Sequence, residues 1–282
     1  MKFKQITIIG VGLIGGSIGL AAKKHKLAGR IIGVTAHKNS LRRALRRKAV
    51  DGGTLDLKSS VIDSDMVILA TPVDKVISAL KKVLPNLKKD CIVIDVASVK
   101  GRIVKDAEKI VSRKARFVGT HPMAGSEQRG VSKATSRLFS GTPCIITKTG
   151  KTDRAALRAV KSFWKKLGSK TYELSPEEHD RRVSNISHLP HAVAAALSLA
   201  ADESSLKFAS TGFGGTTRIA SGDPDLWSAI LTDNSKSASA DIKKYFGQLE
   251  IIARLIKARD IPKLKIVLSK AKKKRDKFVY GK

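Results

Sequence analysis

The sequence predicts an α/β fold in which a doubly wound parallel sheet, with helices on both faces, is followed by an all-helical domain. Up to about residue 175, short apolar runs alternate with helical segments, the order of a sheet built from strand–helix–strand units. Several of the runs are continuously apolar, as is typical of parallel strands buried on both faces. From Pro176 onward almost no strand pattern remains. We therefore expect two domains, residues 1–175 and 176–282.

The elements of the first domain follow from these runs in order. The predicted strands are residues 5–10, 30–35, 66–71, 91–96, 115–120 and 143–148. The predicted helices between the strands are residues 14–27, 40–49, 74–84 and 101–113. Within 74–84 the apolar residues are spaced by three or four positions, which is the period of one helix face.

The second domain is predicted to contain helices over residues 191–204, 235–260 and 262–278. Ser175 is expected to cap the helix that starts this domain, with Glu178 as its partner in a capping box. Pro190 is expected to bend a helix or to begin one. The apolar faces of HAVAAALSLA and of residues 249–256 predict a homodimer.

The composition is strongly basic, with 55 Lys and Arg against 24 Asp and Glu and a net charge of +31. Such a charge would normally suggest a nucleic acid as partner. The basic residues are spread over the predicted solvent faces of most helices, and no basic run is interleaved with aromatic side chains as in a stacking surface. Nucleic-acid binding therefore stays a remote alternative.

The chain is expected to be cytoplasmic and not membrane-bound. No apolar run reaches the roughly 18 residues of a membrane-spanning helix. The N-terminus has too short an apolar stretch for a signal peptide. Cys91 and Cys144 lie in apolar strand-like runs and are predicted to be buried free thiols, which fits a reducing compartment.

A glycine-rich turn follows the first predicted strand. In GVGLIG, Gly10 permits a tight turn, Gly12 lets the backbone approach a phosphate, and Gly15 allows close packing of helix and strand. Leu13 and Ile14 complete the turn, and the helix N-terminus offers free N–H groups to an anion. We therefore expect a dinucleotide here.

The end of the second strand bears on the choice of dinucleotide. NAD enzymes usually place Asp or Glu there to bind the ribose 2′-hydroxyl. Here the strand is followed by Thr35, His37 and Lys38, and no acid is present. A hydroxyl and two basic groups could hold a 2′-phosphate. We therefore expect NADP as cofactor in preference to NAD.

Further residues with functional side chains follow other predicted strands. Thr71, Pro72 and Val73 follow one strand, Ser98 lies in DVASVKG after the next, and His121 lies in GTHPMAGSE. Ligands of open α/β sheets bind at the carboxyl ends of the strands. We expect all of these residues near the cofactor.

Six motifs together resemble the prephenate/arogenate dehydrogenase family of tyrosine biosynthesis. In chain order they are GLIGGS, ATPVD, DVASVKG, GTHPMAGSE, SHLPHAVAAAL and TTRIASGDPDLW. The resemblance covers nearly the whole chain. It implies a Rossmann domain followed by a helical dimerisation domain, and an oxidative decarboxylation. In that reaction ring C4 gives a hydride to the nicotinamide, a base takes the hydroxyl proton, and the ring carboxylate leaves as CO2.

The resemblance assigns roles to several residues. His121 matches the catalytic base, and a histidine can be neutral near pH 7. Ser98 matches the serine that bridges cofactor, histidine and substrate, although alone it could equally cap the helix near Lys100. The implied substrate-binding residues are Arg218, His179, His191, Trp227 and Glu127. Arg218 matches the arginine that holds a substrate carboxylate.

Two features depart from the family or stay open. Family members often carry an acid at the position of Gly215, so the charged network at the pocket mouth is expected to be incomplete. His188 and His191 are three apart, but no third ligand accompanies them, so no metal is expected. No appended regulatory or chorismate mutase domain fits the chain length. Any control by tyrosine is therefore expected at the active site.

The sequence leaves the substrate open between prephenate and arogenate, which differ by a keto or an amino group. We take prephenate as the first expectation. A related Rossmann reductase of the imine or β-hydroxyacid type would share the glycine turn but not the later motifs. A basic nucleic-acid-binding protein on a Rossmann shell is the alternative from another class.

Overall fold

The computed structural model describes residues 2–111, 114–125, 128 and 130–280. Its eight strands form one sheet in the order β3-β2-β1-β4-β5-β6-β7-β8. The strands are β1 (Phe3–Ile9), β2 (Ala28–Val34), β3 (Gly52–Thr54), β4 (Met66–Leu69), β5 (Cys91–Asp95), β6 (Ala115–Pro122), β7 (Pro143–Thr147) and β8 (Lys170–Leu174). The strand order reverses beside β1, which is the arrangement of a Rossmann-type sheet.

The predicted helices are present, although the predicted helix 191–204 is divided into two, and the helices at Arg154–Lys166, Thr211–Thr217 and Pro224–Asp233 were not predicted. In the first half they are α1 (Leu13–Lys24), α2 (Lys38–Arg46), α3 (Val76–Val83), α4 (Gly101–Ile110) and α5 (Arg154–Lys166). In the second half they are α6 (Pro176–Val183), α7 (Leu189–Ala200), α8 (Glu203–Leu206), α9 (Thr211–Thr217), α10 (Pro224–Asp233), α11 (Ser235–Lys257) and α12 (Ile261–Tyr280). No described residue after Leu174 lies in a strand. The predicted α/β fold followed by helices is confirmed.

The sheet is covered on both faces, because successive strand residues point to opposite sides. On β4, Met66 and Ile68 belong to one hydrophobic cluster, which also contains residues of α1 and α5. Val67 and Leu69 belong to a second cluster, which contains residues of α3 and α4. Continuous apolar runs are therefore required by burial on both faces.

The sheet differs from the prediction at its edges. β6 and β7 are antiparallel, whereas all other neighbouring strands are parallel. The described residues between Pro122 and Pro143 form one short 3₁₀ helix at Val131–Lys133, and they contain no α-helix of the kind that usually crosses between parallel strands. β3 and β8 were not predicted. β3 is three residues long with two glycines, and every residue of the edge strand β8 keeps some exposure.

The helical half begins at Ser175, as predicted. The Ser175 hydroxyl accepts a hydrogen bond from the amide of Glu178 at 3.1 Å. The Glu178 carboxylate binds Arg181 and Arg182 instead of closing a capping box. Pro190 stands in the first turn of α7, which continues without a break from a π-helical segment at Ser184–His188, so Pro190 lies where the hydrogen-bond pattern of the helix changes.

The chain divides into two compact units, Met1–Asn234 and Ser235–Lys282. In the second unit α11 and α12 pack against each other. The predicted domain boundary near residue 175 coincides with the change from strands to helices and stays a prediction. Cys91 and Cys144 are buried free thiols, as predicted. None of the helices in the described ranges has the length and apolarity needed to cross a membrane.

Candidate active site

The glycine turn joins β1 to α1 and has the space that a phosphate requires. Gly10 has φ +95°, and a Cβ there would lie 2.4 Å from the Ala70 carbonyl oxygen. A Cβ on Gly15 would lie 2.1 Å from the Gly10 carbonyl oxygen, whereas a Cβ on Gly12 would meet nothing within 4 Å. Gly10 and Gly15 thus allow close packing, and Gly12 leaves open space at the N-terminus of α1. The turn fits a dinucleotide pyrophosphate.

Neighbouring strand ends lie at the same edge of the sheet, because β1, β2, β4, β5 and β6 are parallel. Leu13 and Ile14 open α1 and are half-buried. Thr71 and Pro72 follow β4, and the Thr71 hydroxyl is buried with no hydrogen-bond partner among the described residues. Val73 is part of the hydrophobic core, so any contact it makes with a cofactor is limited.

The segment after β2 has no acidic side chain. Thr35 is buried, and its hydroxyl donates to the carbonyl oxygen of His37 at 3.1 Å. His37 is the N-cap residue of α2 and Lys38 is the first helical residue, and both are exposed. The first turn of α2 contains no Asp or Glu.

His121 lies near the carboxyl end of β6 and is buried. Its Nδ1 is 2.9 Å from Nε2 of His179, and Nδ1 of His179 is 2.8 Å from Oδ1 of Asp180. Burial lowers the pKa of His121 well below 6.5, and the nearby His179, Lys100 and His188 lower it further. His121 is therefore a neutral imidazole near pH 7, which can accept a proton.

His179 and Asp180 also have shifted pKa values. Burial lowers the pKa of His179, against the opposing effect of Asp180. Burial acts to raise the pKa of Asp180, but its hydrogen bonds to His179 and to two backbone amides bring that pKa below its usual range. At neutral pH the pair is thus a neutral imidazole beside a carboxylate.

The loop between β5 and α4 carries Ser98, which is half-buried. Backbone amides of Lys100 and Gly101 donate to Oδ1 and Oδ2 of Asp180, both at 2.7 Å. The alternative in which Ser98 caps α4 is therefore wrong, because a carboxylate from α6 occupies the N-terminus of this helix. Ser98 stays a candidate for the cofactor and the substrate.

A buried ion pair lies beneath the same loop. Nζ of Lys100 contacts Oδ2 of Asp95, and neither side chain has exposed surface. Oδ2 also accepts from the amide of Ala97 at 3.0 Å, and Thr120 donates to the Asp95 carbonyl oxygen at 2.5 Å. Burial raises the pKa of Asp95, and Lys100 opposes that rise. The pair joins the end of β5 to the start of α4, and the hydrogen bond from Thr120 joins the ends of β5 and β6 beside His121.

The helical half contributes an aromatic stack. The rings of His191 and Trp227 are 3.7 Å apart and within 9° of parallel. A Cβ on Gly222 would lie 2.4 Å from Nε1 of Trp227, so this stack requires a glycine there. Nδ2 of Asn234 donates to the Asp180 carbonyl oxygen at 2.8 Å and lies 3.2 Å from Nδ1 of His188.

The remaining predicted site residues are less enclosed. Arg218 begins a 3₁₀ helix at Arg218–Ser221 and is exposed. Gly215 lies exposed in α9, and a Cβ there would meet nothing within 4 Å. Glu127 lies outside the described residues. The roles of Arg218, His191 and Trp227 at the substrate stay predictions.

One predicted contact does not fit the structure. His179 was expected to bind substrate, but it has no exposed surface, and its two ring nitrogens face His121 and Asp180. Asp180, Lys100 and Asp95 were missed by the sequence reasoning. The signal available for them was charge in unusual places: Asp95 ends an apolar run, and Asp180 directly follows His179.

Two sequence profiles of one family match the chain. The profile of the prephenate dehydrogenase nucleotide-binding domain matches residues 18–173, and that of its dimerization domain matches residues 175–270. The chain belongs to the prephenate dehydrogenase family. The match starts after the glycine turn, so the assignment of that turn depends on the geometry above.

Individual family members are similar to this chain over most of their length. The prephenate dehydrogenase of Bacillus subtilis is 34% identical over 96% of this chain and 75% of its own. The solved prephenate dehydrogenase from A. aeolicus, in complex with hydroxyphenyl propionate and NAD+, is 32% identical with TM-score 0.92 over 99% of both chains. The Synechocystis arogenate dehydrogenase structure is 32% identical with TM-score 0.84, over 98% of this chain and 100% of its own.

The protein is accordingly an NAD(P)-dependent oxidoreductase. A 3-hydroxyisobutyrate dehydrogenase from Salmonella typhimurium is also similar, over 84% of this chain and 87% of its own, but only at 14% identity and TM-score 0.63. This likeness shows a shared fold alone. The alternative of a β-hydroxyacid-type reductase therefore has no support beyond the fold.

Proposed function

We propose that this protein catalyses the oxidative decarboxylation of prephenate to 4-hydroxyphenylpyruvate, with NADP+ as the preferred hydride acceptor. The observation that carries the proposal is His121. It is a buried histidine near the carboxyl end of β6, with a pKa lowered by burial, in a chain that also has an open glycine turn at the same edge of the sheet. That combination suits removal of a hydroxyl proton beside a dinucleotide.

The dinucleotide would be held by the turn at Gly10, Gly12 and Gly15 and by the strand end at Thr71. When bound there, it supplies a nicotinamide ring that accepts the hydride from ring C4 of the substrate. Neutral His121 accepts the proton of the C4 hydroxyl, and Ser98 orients that hydroxyl. Because the pKa of His121 is lowered, one of its ring nitrogens is unprotonated near pH 7 and can accept the proton of the substrate.

The substrate would be held from the helical half. A guanidinium forms paired hydrogen bonds with a carboxylate, and Arg218 is the residue we assign to this role. The stacked rings of His191 and Trp227 would form a flat wall for the six-membered ring of the substrate. Arogenate is the second candidate substrate, favoured by the likeness to the Synechocystis arogenate dehydrogenase.

The decisive assay follows the absorbance of reduced nicotinamide with prephenate or arogenate, each with NADP+ or NAD+. We expect prephenate with NADP+ to give the highest kcat/KM. Folded protein without turnover in all combinations would exclude the proposed function. His121→Asn should lose about 10²–10⁴-fold in kcat and still bind cofactor. His25→Asn, at an exposed position just after α1, is the matched control and should keep full activity.

The NADP preference has its own test. It is supported by the acid-free first turn of α2 and by exposed Lys38 at its start. Lys38→Glu places a carboxylate where a 2′-phosphate would bind and should shift the kcat/KM ratio from NADP+ towards NAD+. Lys24→Glu makes the same charge change at the C-terminal end of α1, the end away from the glycine turn, and should leave the kcat/KM ratio unchanged. A wild-type enzyme that prefers NAD+ would contradict the proposal.

We also propose that the protein acts as a homodimer. Exposed apolar side chains in the helical half support it: Leu197, Leu199, Phe208, Phe246, Leu249 and Ile256. All six lie within the part of the chain that matches the family's dimerization domain. Sedimentation at micromolar concentration should give a dimer, and a monomer would contradict this proposal. The cytoplasmic location and the absence of a nucleic-acid partner stay predictions.

A further inference from the structure

Three side chains form a continuous hydrogen-bonded chain that ends on His121. Oδ1 of Asp180 is 2.8 Å from Nδ1 of His179, and Nε2 of His179 is 2.9 Å from Nδ1 of His121. His179 has no exposed surface, so it cannot touch a substrate. It reaches the reaction only through His121.

The order of donors along this chain follows from chemistry. A carboxylate only accepts hydrogen bonds, so Nδ1 of His179 carries the proton that faces Asp180. His179 is neutral, because burial lowers its pKa, and its Nε2 is then a bare acceptor. The proton between the two rings must therefore belong to Nδ1 of His121. Nε2 is left as the acceptor nitrogen of His121.

The Asp180 carboxylate also binds the end of the loop that carries Ser98. It accepts the amides of Lys100 and Gly101, each at 2.7 Å. The carbonyl oxygen of Asp180 is held in turn by Asn234 at 2.8 Å. A single residue of α6 therefore connects the catalytic histidine of β6, the N-terminus of α4 and the end of α10.

We propose that Asp180 and His179 are positioning residues that hold His121 in the Nδ1–H tautomer, with Nε2 ready for the substrate hydroxyl proton. The reaction assigned to this arrangement rests on the proposed function; the tautomer itself does not. The O–H bond breaks, its proton goes to Nε2, and the hydride leaves C4. The proton returns to the phenolate oxygen once CO2 has departed and the ring is aromatic, so the histidine ends as it began.

The charge that His121 gains during this transfer has a defined path. The ring becomes an imidazolium, whose Nδ1–H still points at Nε2 of His179. The Asp180 carboxylate, one ring further, stabilises the positive charge. Lys100 has the opposite effect: it is a buried cation that disfavours the positive charge on His121, and it is itself paired with Asp95. Without Asp180, no carboxylate would remain in the hydrogen-bonded chain that ends on His121.

Substitutions at the middle residue separate positioning from mere packing. His179→Gln offers a carbonyl oxygen to Nδ1–H of His121 and an N–H to Asp180, whereas His179→Leu offers neither. Both replace the imidazole ring of His179 with a side chain of similar size. We expect His179→Leu to lose about 10²–10⁴-fold in kcat, and His179→Gln to stay within about tenfold of wild type. The KM for prephenate and the dissociation constant of the cofactor should stay unchanged in both.

The tautomer itself can be measured without turnover. The chain has six histidines, so ¹⁵N-histidine NMR of the full protein gives a small set of ring signals, assigned by single substitutions. We expect His121 and His179 both in the Nδ1–H form. In Asp180→Asn, an amide N–H turned towards His179 would reverse both tautomers. Glu177→Gln, at an exposed position in the first turn of α6, is the control and should change neither ring.

Each outcome decides the inference. An Nε2–H tautomer of His121 in the wild type would overturn it, whether or not the protein oxidises prephenate. Equal losses of kcat in His179→Gln and His179→Leu would also overturn it, because packing would then explain the effect. Wild-type protein with the expected tautomers but no activity would refute the proposed function and leave the positioning role supported.

Discussion

The buried ion pair of Lys100 and Asp95 allows a quantitative prediction. Lys100→Met removes the cation and keeps most of the side-chain volume. The Asp95 carboxylate then stays in the core with one amide donor, from Ala97, while its Oδ1 already has no hydrogen-bond partner among the described residues. Removing one member of a buried pair typically costs about 3–5 kcal/mol of unfolding free energy. At roughly 2–4 °C per kcal/mol, Tm should fall by about 6–20 °C.

The pH dependence of this loss has a definite sign. In Lys100→Met, burial raises the pKa of Asp95 with no cation to oppose it. A carboxyl whose pKa is raised in the folded state gives its full stability below its unfolded pKa and loses it as pH rises through the folded pKa. The Tm deficit relative to wild type should therefore be larger at about pH 8 than at about pH 5.

Thermal unfolding followed by fluorescence measures both effects. The double variant Asp95→Asn/Lys100→Met should recover at least half of the lost stability, because no buried charge remains. Lys105→Met, on the exposed face of α4, is the control and should change stability by less than about 0.5 kcal/mol. A loss below about 1 kcal/mol in Lys100→Met, or a double variant no more stable than the single one, would refute the reasoning.

Three further predictions concern the site itself. Gly10→Ala should lower both Tm and cofactor affinity, because its Cβ would overlap the Ala70 carbonyl. Gly12→Ala should lower cofactor affinity and leave Tm unchanged, because its Cβ would meet no protein atom within 4 Å. Equal losses of Tm in the two variants would contradict this prediction. Gly222→Ala should raise KM for the substrate by disturbing Trp227, with cofactor affinity unchanged in a fluorescence titration. Because burial lowers the pKa of His121, kcat/KM measured against pH should fall on the acid side only below about pH 6.5, and an acid limb above that value would argue against His121 as the base.

The predicted fold was right where the physical signal was strong and local. Strands buried on both faces must be largely apolar, and the buried segments of β1, β2, β4, β5, β6 and β7 showed this in the sequence, β4 at every position. β3 and β8 lie at the two edges of the sheet, where one side of a strand has no neighbouring strand and the demand for apolar residues is weaker. The antiparallel direction of β7 has no local signal at all, because direction depends on the path of the connection.

The active site also divides into features that the sequence predicted and features that only the folded structure decided. The glycine spacing, the acid-free end of β2 and the positions of Ser98 and His121 at strand ends could be stated from the sequence, since each depends on residues close together in the chain. The role of His179 could not. Its resemblance to a pocket residue suggested a substrate contact, whereas burial places it behind His121.

Local pattern thus predicted most of the elements and the dinucleotide turn, and the resemblance to the family pointed to His121 as the base. The environment of that base depended on the fold. His121 and His179 are separated by 58 positions in the chain, and Lys100 and Asp180 by 80. Hydrogen bonds over such separations form only when α6 packs against α4 beside the carboxyl end of β6. Burial there lowers the pKa of His121, and the chain from Asp180 orders its protons, because both effects arise from atoms that only the folded chain brings together.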